Sequence, residues 1–310
     1  MGGYVIKHIP EDFVVEEVSI VKPKASGSFV YFSVWKKGLT TLQAMQQIAR
    51  ALRIPLKEIS CAGNKDKQAV TTQACSVHRV SGKQIEKLSF SSMKLTVLGY
   101  GDEPIHLGDL EGNKFRIIVR NLVKVPEISS KFRNLFGEQR FSTKNAEIGK
   151  CIVKRDFENA ALLIAKTHSG YARITVHLNQ RNWIGALRCL PRKLLLLFVH
   201  AYQSLLWNRA AMLSDEKILP IVGFGTEVVD GVTKKILAEE QLKPSDFVIR
   251  ELPEVSAEGS ERAVWVDAKG MEVGELEPDE FFPGKHEVML EFFLPKGSYA
   301  TEFIRQQFHQ

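Results

Sequence analysis

The most chemically suggestive segment is A-G-N-K-D-K-Q-A-V-T-T-Q, residues Ala62 to Gln73, which sets one acid, Asp66, between Lys65 and Lys67 in a glycine-led polar loop. A carboxylate flanked by cations stays ionised and can serve as a base or a nucleophile. The same pattern also describes a charged turn ahead of a strand, and on spacing alone that turn is the commoner outcome. Two nucleotide-binding motifs are excluded. Lys67 stands where the guanine-reading N-K-x-D signature needs its Asp, and no G-x-x-x-x-G-K-[ST] run occurs, so a P-loop GTPase is ruled out. Cys75 and His78 lie three apart with no second pair near them, and on a strand they face opposite sides, so no metal is expected.

The elements that must position this loop are readable from periodicity. Strands are predicted at Phe13–Val18 and Phe29–Trp35, the second with Val30, Phe32 and Val34 alternating against Phe29, Tyr31, Ser33 and Trp35. Thr40 and Gln43 make a capping box for a helix in which Leu42, Met45, Ile48, Ala49 and Leu52 recur until Pro55. Its apolar face must pack on the strands. Ala69–Val77, Met93–Leu98 and Lys114–Arg120 lean to β structure. Between Thr143 and Arg209 the pattern turns helical, first with Ile148, Ile152, Phe157, Ala161, Leu162, Ile164 and Ala165, then with the apolar run Leu194–Trp207. Val222–Asp246, carrying Gly223, Gly225, Gly231 and Pro244, reads as short strands joined by turns. The tail returns to β alternation at Glu287–Phe293, and N- and C-terminal strands are inferred to share one sheet around a helical insert.

Composition sets the frame. A chain of 310 residues with 44% apolar and 25% charged residues can bury a large core and exceeds a single small module. The net charge of +6 favours a polyanionic partner modestly. Four widely spaced cysteines without a C-x-x-C pair fit a reducing compartment. The opening MGGYVIKHIP has no signal-peptide core, and the longest apolar run is too short to span a bilayer, so a cytoplasmic protein without a membrane partner is expected.

The loop Ala62–Gln73 can be set beside four other segments, with two weaker matches. It closely resembles the signature of the TruD family of tRNA pseudouridine synthases, and K-x-x-P-E-D-F-V-V-E at Lys7–Glu16, LGDLEGNKFRIIVR at Leu107–Arg120, NLFGEQRFS at Asn134–Ser142 and LPKGSYATEFIR at Leu294–Arg305 match it in the same order. Weaker matches are AYQSLLWN at Ala201–Asn208 and EGSER at Glu258–Arg262. Ser142 departs from the Gly usual in the family, and the middle of the chain is shorter than in many relatives.

The resemblance implies an α+β fold: a mixed, mainly antiparallel sheet catalytic domain of pseudouridine synthase type, interrupted by an inserted α/β TruD-specific domain. The expected division is 1–142 and 256–310 for the catalytic domain and 143–255 for the insert. It implies an isomerase acting on tRNA, and possible other RNA targets, at uridine 13 of the D arm, with a flipped-out nucleotide. Asp66 matches the catalytic aspartate. Lys7, Phe13, Lys65, Asn113, Phe115, Gln139 and Arg140 are the implied substrate-binding residues, with Phe115 against the target base and Asn113 at the uracil edge. The isomerisation needs no electrons, phosphate or metal, so no cofactor is expected, and a monomer is favoured. Arg181, Arg188, Arg192 and Lys193 could form a phosphate-binding surface on the helical insert. Two other classes remain open to test: a non-catalytic RNA-binding or RNA-folding protein on the same scaffold, and a small-molecule hydrolase using Asp66.

Overall fold

The computed structural model describes residues 3–168, 171 and 173–308. In chain order the strands are β1 (Phe13–Ser19), β2 (Phe29–Lys37), β3 (Ile59–Cys61), β4 (Val70–His78), β5 (Met93–Gly101), β6 (Leu110–Leu122), β7 (Lys131–Arg133), β8 (Ile218–Ile221), β9 (Ser260–Ala263), β10 (Trp265–Asp267), β11 (Lys269–Val273), β12 (Glu277–Pro278) and β13 (His286–Pro295). The helices are α1 (Thr41–Leu52), α2 (Gly82–Glu86), α3 (Asn145–Val153), α4 (Phe157–Thr167), α5 (Arg173–Asn179), α6 (Trp183–Arg188), α7 (Arg192–Leu213), α8 (Gly231–Glu239) and α9 (Ala300–Phe308). Two units emerge. The first is Met1–Lys131, Asp267–Ala300 and Ile304–Gln310; the second is Phe132–Val266 and Thr301–Phe303.

The first unit is built on a mixed sheet in the order β11-β13-β6-β1-β4-β2-β5. The β1–β4 pair is parallel and the other pairings along this path are antiparallel. The C-terminal strand β13 therefore lies beside β6, with β6 and β1 between it and β4, and the two ends of the chain do share one sheet. The alternation in β2 does what its residue types require: Val30, Phe32 and Val34 are buried on one face under Ala44, Met45, Ile48 and Ala49 of α1, with Cys75 and Val77 of β4. The Thr40 cap forms as the sequence indicates, its hydroxyl accepting from the Gln43 amide at 3.1 Å while Gln43 Oε1 accepts from the Thr40 amide at 3.0 Å. The helix ends on Arg53 in the left-handed conformation, φ 56°.

A buried arginine closes this unit. Arg120, at the end of β6, donates to Asp12 Oδ1 from Nε at 2.9 Å and from a terminal nitrogen at 2.7 Å, and it also pairs with Asp279 and Glu287. Asp12 in turn accepts from the Ile9 amide at 3.0 Å, which fixes the P-E-D turn at Pro10–Asp12. The segments Lys7–Glu16 and Leu107–Arg120 thus meet through an ion pair.

The second unit is mainly helical and centres on α7, whose Phe198, Val199, Tyr202, Leu206 and Trp207 are buried. Gly149 of α3 crosses α7 so closely that a Cβ there would meet the Phe198 carbonyl oxygen at 2.0 Å. One sequence expectation is corrected. Of Val222–Asp246, residues 231–239 form helix α8 rather than a strand, because Asp230 caps it by accepting from the Thr233 amide at 2.7 Å and Ile236 and Leu237 bury on one side. Ser142 adopts φ −53°, open to any residue; the left-handed positions of that turn are Thr143 and Lys144, so the turn forms without the family's glycine. Arg188 and Arg192 of the expected basic surface donate to the carbonyl oxygens of Glu251 and Glu254, at 3.0 and 2.8 Å, and so tie down the chain after α8.

Candidate active site

Asp66 sits in the loop that joins β3 to β4, and that loop is anchored at three successive backbone points. Gln73 Nε2 donates to the Gly63 carbonyl at 3.0 Å, the Lys65 amide donates to Thr41 Oγ1 at 2.8 Å, and Lys36 Nζ donates to the Asp66 carbonyl at 3.1 Å. Thr41 Oγ1 also donates to Gln73 Oε1 at 2.9 Å, which links two of the anchors. Thr41, Gln73 and Lys36 are 3%, 1% and 0% exposed. Buried polar groups are tolerated when they are bonded, and here their bonds hold a loop that has no secondary structure of its own.

The Asp66 carboxylate itself stays 43% exposed and bonds Lys7 Nζ at 2.5 Å. Its direct cationic partner is thus Lys7, 59 residues away in sequence, in place of the flanking Lys65 that the loop pattern suggested. Lys7 is held on every side: its backbone is left-handed (φ 59°), its carbonyl accepts from Gln68 Nε2 at 2.6 Å, and its ammonium lies 4.0 Å from the centre of the Phe13 ring. Phe13 is 3% exposed, so it supports the lysine from within the core.

Lys65 turns inward. Its side chain is 7% exposed and pairs with Glu17 Oε2 at 2.8 Å, a carboxylate with no exposed surface whose other oxygen accepts from the Ala74 amide. Lys65 Nζ also donates to Asn113 Oδ1 at 2.7 Å. Glu17 and Asn113 are direct partners across β1 and β6. With its oxygen committed to Lys65, the Asn113 amide presents its NH2 group, which donates to none of the described residues. Two residues along, on the same face, Phe115 pairs with Val15 and with Phe292 of β13, stacking on the Phe292 ring at 5.4 Å and meeting Phe13 edge-on at 6.0 Å. Phe115 is 8% exposed.

Asp66, Lys7, Phe13, Lys65, Asn113 and Phe115 are therefore joined through direct contacts in the first unit. Gln139 and Arg140 belong to the second. Gln139 is exposed on the turn Glu138–Lys144, and Arg140 Nε donates to Ser204 Oγ of α7 at 3.2 Å. The neighbouring Phe136 organises that unit: its amide and carbonyl are both bonded by the Asn208 side chain, its ring meets Trp207 at 5.6 Å, and Arg262 lies 4.1 Å over it while donating to the Asn134 side chain. Three matched segments thus converge on packing. Glu17 and Lys36 were not singled out from the sequence, although the alternation of Phe13 and Val15 with Glu16, and of Val30, Phe32 and Val34 with Tyr31, puts each charge on a buried face, which is a readable sign of a partnered ion.

Burial pushes the Lys36 ammonium down to about 8, against the attraction of Asp66. Among the described residues no helix is long and apolar enough to cross a membrane, and no group of His, Cys, Asp and Glu is placed to hold a metal ion.

Comparison with known proteins places the chain in a family. The family model described as tRNA pseudouridine synthase D (TruD) matches residues 1–174, 168–221 and 216–307. The probable tRNA pseudouridine synthase D of Methanosarcina acetivorans is 31% identical over 411 aligned positions, spanning 99% of this chain and 92% of the relative. The tRNA pseudouridine synthase D of Aquifex aeolicus is 30% identical, spanning 98% of this chain and 97% of its own length. The crystal structure of the TruD protein of Methanosarcina mazei superposes with a TM-score of 0.78 at 27% identity, covering 100% of this chain and 94% of that one. Fold and matches together define an isomerase of the pseudouridine synthase class. The chain belongs to the TruD family of tRNA pseudouridine synthases.

Proposed function

We propose that the chain converts uridine 13 in the D arm of tRNA to pseudouridine, with Asp66 as the reacting acid on a nucleotide swung out of its stack. The observation that carries this reading is the half-exposed Asp66 carboxylate, gripped by Lys7 at 2.5 Å and carried on a loop anchored by buried side chains. The reaction breaks the C1'–N1 bond, turns the uracil and joins C5 to C1'; the C5 proton leaves and N1 gains one, so nothing is added overall. An ionised carboxylate at the ribose serves both routes to that outcome, attack on C1' or removal of the C2' proton to give a glycal. Lys7 supplies the opposite charge that suits an ionised Asp66.

The uracil site is read from the neighbours. The NH2 of Asn113, oriented by Lys65, suits a uracil carbonyl, and Phe115 borders the base with the small part of its ring that its aromatic neighbours leave uncovered. Phe13 acts through Lys7 rather than on the base. The expected insert, 143–255, lies within the second unit and helps hold the RNA, while Gln139 and Arg140, expected in the catalytic domain, sit in the part of that unit just before it; the protein acts as a cytoplasmic monomer.

The test is to incubate unmodified tRNA with the wild-type chain and with Asp66→Asn, then map pseudouridine by chemical probing and primer extension. The wild type is expected to give one stop at uridine 13. The Asn variant should bind the tRNA within about threefold of wild type while its rate falls roughly 10³-fold or more. Binding without any pseudouridine in the wild type would favour the RNA-folding reading, and release of free uracil the hydrolase reading.

A further inference from the structure

The bond from Lys36 to the main chain of Asp66 is independent of the Lys7 ion pair and falls on the same residue. Lys36 occupies the last inward position of the β2 series Val30, Phe32, Val34, where an apolar side chain would satisfy the core, and it is 0% exposed. A buried ammonium is among the costliest groups to place inside a protein. Its N–H groups go to two carbonyl oxygens on separate segments, Leu39 at 2.7 Å in the link to α1 and Asp66 at 3.1 Å in the loop. Asp66 is thereby gripped at both ends, its carboxylate by Lys7 and its backbone by Lys36.

We propose that Lys36 is a positioning residue for the isomerisation: through the Asp66 carbonyl it fixes where the carboxylate meets the ribose. The inference rests on the reading of Asp66 as the reacting acid. Charge-assisted bonds are about twice as strong as neutral ones, so the grip depends on Lys36 remaining protonated. The titratable and charged groups facing it are Asp66 and Lys65 from the loop and Cys75 from β4. Burial lowers the Lys36 ammonium to about 8, Asp66 pulls it back up and Lys65 pushes it further down, while burial drives the Cys75 thiol well above its usual range. Neutralisation of Lys36 thus falls in an accessible alkaline window, with Cys75 still protonated.

The experiment is a single-turnover assay on unmodified tRNA with excess enzyme, run across pH for wild type, Lys36→Met and Lys36→Arg, with tRNA affinity measured beside it. The wild-type rate should fall on the alkaline side with a midpoint near 8. Lys36→Met should lose about 10²-fold in rate, the scale of an ångström of misplacement, with affinity within about threefold and no alkaline fall at that midpoint. Lys36→Arg, which stays charged, should recover part of the rate and carry the fall to higher pH. A folded Lys36→Met protein turning over at the wild-type rate would overturn the proposal. So would a wild-type profile that stays flat through about pH 9.5, a result that needs no variant to fold. Absence of any product from the wild type would instead remove the reading of Asp66 on which the proposal stands.

Discussion

At the scale of single residues, the site is a set of charges that are each satisfied before substrate arrives. Asp66 leans on Lys7, Lys65 on Glu17, and Asn113 takes its orientation from Lys65. Of these the Glu17–Lys65 pair is the most deeply enclosed, so removing one partner strands the other. Replacing Glu17 by Gln should destabilise the protein by about 3–5 kcal/mol, the usual consequence of leaving a buried charge unpaired. Denaturant unfolding of Glu17→Gln checks this, and an unchanged midpoint would show that water reaches Lys65. The same variant frees the Asn113 amide to turn, so its surviving activity should show a higher KM for tRNA. Phe13 and Phe115 belong to the same logic: the residues that look most like base-stacking platforms are chiefly packed on each other and on Phe292, and only a margin of Phe115 remains available.

At the scale of elements, the loop depends on α1 as much as on the sheet. Thr41, the first residue of α1, accepts the Lys65 amide, and the Thr40 cap directly before it holds that first turn. Thr40→Ala should cost about 1 kcal/mol and lower the thermal midpoint by roughly 2–4 °C, read by calorimetry; an unchanged midpoint would mean that packing alone sustains the helix start. Elements of this kind were legible in the sequence because their determinants are local: the Thr40–Gln43 box, the period of two in β2, the period of 3.6 in α1. Helix α8 was not, since Gly231 and Pro244 suggest turns while its cap at Asp230 and its buried Ile236 and Leu237 act only once a neighbouring surface exists. The loop pattern by itself hid the partner of Asp66 for a related reason, although the resemblance implied Lys7 as the cation that keeps Asp66 charged. Lys65 and Lys67 are adjacent in sequence, but β1 lies between β4 and β6, and this arrangement brings Lys7 to the loop while drawing Lys65 to Glu17. The resemblance named Lys7, whereas the buried charges Glu17 and Lys36 were present only as violations of an apolar face.

At the scale of the molecule, the first unit is a single mixed sheet with its helices, and its N-terminal segment, β6 and C-terminal segment converge on Arg120. Several carboxylates crowd that one guanidinium, and their balance sets a pH signature. Burial raises Glu287 above the usual carboxylate range, with Asp279, Glu280 and Asp12 opposing its ionisation and Arg120 favouring it. A folded-state value above the unfolded one stabilises the fold fully at acid pH and is lost as pH rises through it. Glu287→Gln, a lasting mimic of the protonated form, should therefore unfold about 1–3 °C higher than wild type at neutral pH, with the difference vanishing near pH 4. Asp279 runs the opposite way, since the Asn121, Phe281 and Phe282 amides and Arg120 outweigh its burial and hold it low, so its contribution is lost only as pH falls below the carboxylate range. The central claim remains that Asp66 does the chemistry, and it is met most directly by counting C5 hydrogens released from tRNA carrying tritium at C5 of its uridines. The account predicts one equivalent per tRNA from the wild type and background release from Asp66→Asn at equal RNA occupancy; release by the Asn variant at the wild-type rate would contradict it.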